Sequence, residues 1–154
     1  MGAVYFYHLT RSPLEVTLPM LLSKAREAGW LVHIRGVSAE RMGWLNDKLW
    51  LGQDETFLAH GLAGGEYDAK QPILLSCEEK AANGANCLMT VDGADVTTEE
   101  VESMQRVCVL FDGNDASALE LARGQWKTLS DAGCVAQYWS QENGKWAMKA
   151  ESVR

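Results

Sequence analysis

Apolar positions along this chain alternate between short unbroken runs and stretches where they recur every three or four residues. Val4 to Leu9 is a β-rich run and predicts a first strand. Ser12-Pro13-Leu14-Glu15 then offers a cap, a proline at the first helical position and a glutamate three after the cap. Leu18, Leu21, Leu22 and Ala25 continue at helical spacing to Gly29, with Pro19 expected to kink the first turns. Trp30 to Ile34 reads as a second buried strand. Ser38 caps a second helix running to about Trp50, with Met42, Leu45 and Leu49 as its apolar stripe.

Phe57 to His60 is short and extended, and Gly61 to Gln71, centred on Gly64-Gly65, reads as a mobile loop. Ile73 to Ser76 predicts a strand, and Glu78 to Asn86 a polar loop. Cys87 to Val91 and Arg106 to Phe111 are strands on either side of a short acidic helix near Thr98 to Met104. The strongest helix spans Asn114 to Ala132 and stops at Gly133. Cys134 to Tyr138 is a last strand, and Trp139 to Lys149 a tail with a hairpin expected around Asn143-Gly144. Strands alternating with helices predict an α/β fold with a mostly parallel central sheet and helices on both faces. With no repeat or linker to divide it, the chain reads as one domain over 1–154.

Composition narrows the classes of function. A chain of 154 residues, 47% hydrophobic and 23% charged, buries enough core to stand without disulfides or a structural metal. A net charge of −7 argues against a surface that grips phosphates throughout, and so against strong direct DNA binding. No apolar run approaches the length of a membrane span, and the N-terminus lacks a basic signal region, so a cytoplasmic protein is expected. Cys77, Cys87, Cys108 and Cys134 form no C-x-x-C pair, and His8, His33 and His60 are scattered, so no metal site is expected. The cysteines read as structural, and His8 and His33 as polar residues at strand ends.

A nucleotide site is excluded by the same reading. The first strand-to-helix turn, Leu9-Thr10-Arg11-Ser12-Pro13, holds no glycine that would let a pyrophosphate approach the backbone, and no P-loop occurs. G-x-S-x-G and H-E-x-x-H are absent too. The alternative enzymatic reading is a metal-assisted site at Asp112 and Asp115, helped by His8 or His60. Asp112-Gly113-Asn114-Asp115 is read first, however, as a turn followed by a helix cap.

The tryptophans carry more. With Ala118 as zero and about 100° per residue, Ala118, Ala122, Gln125, Leu129 and Ala132 face the core. Trp126 falls at the edge of that stripe, with Arg123 and Lys127 just outside it. An aromatic wall beside two cations suits an acidic peptide that ends in an apolar anchor. On the second helix Trp50 flanks the apolar stripe, while Trp44 projects to the polar face beside Arg41 and Lys48.

Leu45-Asn46-Asp47-Lys48-Leu49-Trp50, a turn, and Phe57-Leu58-Ala59-His60 resemble L-D-x-x-L-W followed by S-F-[LV]-P-H in the chi subunit family of bacterial DNA polymerase III. Leu121-Ala122-Arg123-Gly124-Gln125-Trp126-Lys127 is similar to that family's A-R-x-x-[WY]-K. The tail, Gln137-Tyr138-Trp139-Ser140-Gln141 and Gly144-Lys145-Trp146, also agrees. Asn46, Thr56 and Ala59 depart from the pattern. The resemblance implies a Rossmann-like, non-catalytic clamp-loader accessory subunit without a cofactor. It implies two partners: the acidic C-terminal tail of single-stranded DNA-binding protein, which ends in Pro-Phe, and a psi subunit. It carries the tail site onto Arg123, Trp126, Lys127, Trp50 and Phe57, placed together at one corner.

The charge is unevenly spread. Glu78 to Glu120 holds ten acids and two bases, a net of −8, whereas Leu121 to Arg154 holds five bases and three acids, a net of +2. The expected tail site therefore lies in a locally positive stretch.

Overall fold

The computed structural model describes residues 2–10, 13–51, 60–65, 68–80, 82–142 and 145–152, with only the backbone at 50, 51 and 142. Eight strands form one sheet: β1 (Ala3–Leu9), β2 (Val32–Arg35), β3 (Gly61–Leu62), β4 (Ile73–Ser76), β5 (Cys87–Thr90), β6 (Arg106–Asp112), β7 (Val135–Glu142) and β8 (Lys145–Ser152). Their order across the sheet is β3-β4-β2-β5-β6-β1-β7-β8. Every pairing is parallel except that of β7 with β8. The inner strands β2, β4 and β5 are buried at every position, which is why they read as unbroken apolar runs. At the edge, β8 is largely exposed and mixes polar with apolar residues.

Among the described residues, four helices cover the sheet: α1 (Leu14–Glu27), α2 (Ala39–Leu51), α3 (Thr98–Ser103) and α4 (Ala116–Asp131). Alternation along the strands decides which face each one meets. Tyr7 and Leu9 of β1, Cys108 and Leu110 of β6, and Ile34 of β2 pack with Leu18 and Leu22 of α1 and Leu45 and Leu49 of α2. The intervening residues Val4, Phe6, Val107 and Val109 pack instead with Val101 of α3 and Ala122 and Leu129 of α4. Thus α1 and α2 share one face and α3 and α4 the other.

Several boundaries differ from expectation. The N-cap of α1 is Pro13, with no side-chain cap bond, so the proline sits one position earlier than the sequence suggests; Ser12 lies outside the described residues. The second strand extends through Arg35, and the last strand runs on to Glu142 and pairs with β8. The turn residues 143 and 144 of that hairpin lie outside the described residues. Gly61 to Gln71, expected as loop, contributes the two-residue edge strand β3 and a 3-10 turn at Asp68–Lys70. Asp68 organises this segment by accepting from the Gly64 and Gly65 backbone N–H groups at 2.9 and 3.0 Å.

Cys87, Cys108 and Cys134 are buried as expected of small hydrophobes, whereas Cys77 is exposed. Among the described residues, no helix is long and apolar enough to cross a membrane.

Candidate functional site

Asp115 starts α4 by accepting from the N–H groups of Ser117 (2.9 Å) and Ala118 (3.3 Å), two of the donors a helix start leaves unmet. From there Ala122 and Leu129 face the core and are buried, as the 3.6-residue period requires. Ala118 and Gln125 are half-buried, but Ala132, expected inward, is the exposed C-cap. The helix stops where Gly133 turns left-handed at φ 92°.

Trp126 occupies the edge of the buried stripe. Its ring stands edge-on to Phe6 at 5.5 Å between centroids and to Tyr138 at 6.1 Å. Arg123 and Lys127 lie beside it, both exposed, and neither forms an ion pair among the described residues. Tyr138 comes from β7, on the strand face shared with Phe6. Its hydroxyl shares a 2.5 Å hydrogen bond with His8 Nδ1. Burial pushes the Tyr138 hydroxyl pKa up, while the field of Arg123 pulls the other way, which places the guanidinium on the same side as the phenol. His8 is held in place by packing: a Cβ on Gly113 would fall 1.8 Å from its ring. The surface is therefore an aromatic wall, Trp126 and Tyr138, flanked by two cations. Tyr138 was not singled out in sequence, although its same-face relation to Phe6, once β1 and β7 are paired, is what brings it here.

Trp50 lies in the last turn of α2, which covers the opposite face of the sheet from α4. Arg123, Trp126 and Lys127 thus come together on α4, while Trp50 is placed only by its backbone position in α2. Phe57 lies outside the described residues. Trp44 lies on the same helix. It is half-buried against the core, with the Arg41 guanidinium 4.4 Å above it and Lys48 Nζ at 5.8 Å.

At the carboxyl ends of the strands, the acidic residues serve structure. Asp112 accepts from the Asn114 backbone N–H at 2.9 Å, and Asp115 is the helix cap already described. His60 is buried on the α2 side, its Nε2 3.2 Å from the Asn46 carbonyl oxygen. Among the described residues, no group of three or more His, Cys, Asp or Glu is placed to hold a metal. The turn-and-cap reading of Asp112-Gly113-Asn114-Asp115 is the one these bonds satisfy.

A second polar cluster is centred on a buried arginine. Arg35, at the end of β2, donates through Nη1 to Glu100 Oε1 and to the Asp95 carbonyl, both at 2.9 Å, and through Nη2 to Glu100 and the Glu79 carbonyl. Glu100 also closes a capping box with Thr97 at the start of α3. Burial raises the Glu100 carboxyl pKa, but the bonds from Arg35 and Thr97 outweigh it and hold the group below its ordinary range. His33, two residues before Arg35, is fully buried with Nε2 2.7 Å from Ser76 Oγ. Burial, reinforced by Arg35, lowers its pKa to about 4 against the opposing pull of Glu100.

Fold and site together define an α/β open-sheet domain with a cationic, aromatic surface on its last helix and carboxylates tied up in turns and caps. The model of the family described as DNA polymerase III chi subunit, HolC, matches residues 1–137 of the 154-residue chain. The chain belongs to that family, and so to the accessory subunits of DNA polymerase III that act in replication. The match ends inside β7, so β8 lies beyond it. No curated protein matches the sequence.

Proposed function

We propose that this protein is a single-domain, non-catalytic subunit of the clamp loader that links the polymerase holoenzyme to single-stranded DNA-binding protein in the cytoplasm. It holds the acidic C-terminal tail of that partner against α4. The observation that carries the reading is the pair of exposed cations, Arg123 and Lys127, without an ion pair among the described residues, beside the half-buried ring of Trp126. Arg123 suits the terminal carboxylate, which a guanidinium can grip with two parallel bonds, and Lys127 suits the acidic side chains before it. Trp126, backed by Phe6 and Tyr138, suits the terminal aromatic residue. Trp50 and Phe57 are carried to the tail site by the family resemblance, and a psi subunit is the expected link to the rest of the clamp loader.

A pull-down of full-length single-stranded DNA-binding protein, with and without its last few residues, tests the reading. Capture that depends on those residues and weakens with added salt is expected, because exposed charge contacts are screened. Capture that survives their removal contradicts it.

A further inference from the structure

The other flank of α4 carries a second feature. At about 100° per residue, Leu121 and Thr128 point away from Trp126 and Arg123, across the helix axis. They line a groove of about 580 Å³ between α4 and the segment leading into α3, together with Val96, Gly124 and Leu129. The groove opens into a crevice of about 790 Å³ at the carboxyl ends of β1 and β6, and the two share Ser117, Leu121 and Gln125.

Three observations mark this as a docking surface. Its floor is apolar, and Leu121 stands 43% exposed over it. Gly124 leaves it open, since a Cβ there would meet nothing within 4 Å. Its walls are rigidly joined: Gln125 Nε2 donates to the Ala94 carbonyl at 3.1 Å, and Leu121 lies so close to Gly93 that a Cβ there would come within 2.8 Å. Among the described residues the rim is mostly acidic. Asp95 and Glu120 border the groove, and Glu15, Asp112 and Asp115 the crevice. Among the described residues, the one base lining either space, Arg41, is already paired to Asp92.

We propose that this groove docks a basic segment of another protein chain that inserts apolar side chains beside Leu121 and over Gly124. Charge complementarity decides the occupant. An acidic tail is repelled here, and a second copy of a chain with net charge −7 is a poor match for an acidic rim. From Ser117 to Thr128 the helix rises about 17 Å, room for roughly five extended residues. The site is independent of the tail surface, from which the body of α4 separates it.

The test uses the full chain and three labelled twelve-residue probes: alternating Lys and Leu, alternating Glu and Leu, and alternating Lys and Ser. Anisotropy should show saturable binding of the Lys/Leu probe alone. Gly124→Gln fills the groove with a better helix former, and should weaken that binding at least tenfold while leaving affinity for the acidic tail peptide unchanged. Equal binding of the Lys/Ser probe reduces the effect to bulk charge and overturns the proposal. So does undiminished Lys/Leu binding to Gly124→Gln, or an equal loss of tail binding in that variant.

Discussion

Arg35 and Arg123 are the same side chain put to opposite uses. Arg35 is buried at the end of β2, and its charge is consumed inside the protein by Glu100 and two backbone carbonyls. Arg123 stands on the outer flank of α4 with no ion pair among the described residues. One knits together the loop after β4, the segment after β5 and the start of α3; the other makes no ion pair among the described residues. Burial separates the roles. Inside, an unpaired guanidinium is prohibitively costly, and Arg35 has been given a carboxylate and two carbonyls. Outside, water solvates the charge cheaply, and a cation left without a partner is available to a ligand.

The largest effect should come from breaking the internal pair. Arg35→Ala strands Glu100 and frees three segments, and is expected to cost about 3–5 kcal/mol in chemical denaturation. A loss under about 1 kcal/mol would mean that Arg35 is no more structural than Arg123. Next is pH. An unfolded histidine takes up its proton near pH 6.5, whereas folded His33 does so at about 4. Between those values the unfolded chain binds more protons, so stability falls as pH falls from 6.5 toward 4, by up to about 3 kcal/mol. Glu100, with its lowered pKa, drains stability in the same direction as its carboxylate protonates. Urea melts across this range should show the slope, and His33→Gln should flatten most of it. A wild-type slope no steeper than that of the variant would remove His33 from the internal cluster.

Legibility in the sequence followed the same division between inside and outside. Unbroken apolar runs gave β2, β4 and β5 because these strands are buried on both faces. Periodicity placed Trp126 at the edge of the α4 stripe, where it is found. Arg35 was left off its strand because a charge inside an apolar run looks like an end. Its partner Glu100 is 65 positions away, beyond the reach of any local pattern. The helix that each face of the sheet receives was not legible either, because sequence motifs say nothing about which face a helix will cover. That choice is made by the crossovers, and they send α2 and α4 to opposite faces. β3, only two residues long, is too short to leave a period.

The smallest change in stability and the sharpest change in function should coincide at Arg123. Arg123→Ala removes an exposed side chain and should alter folding stability by no more than about 0.5 kcal/mol. Calorimetry of the tail peptide of single-stranded DNA-binding protein is the most direct measurement. The wild-type protein should bind it, Arg123→Ala should bind it at least tenfold more weakly, and a peptide lacking its terminal Phe should lose binding to both. Affinity unchanged by Arg123→Ala or by removal of the Phe would contradict the assignment of the tail to this face of α4.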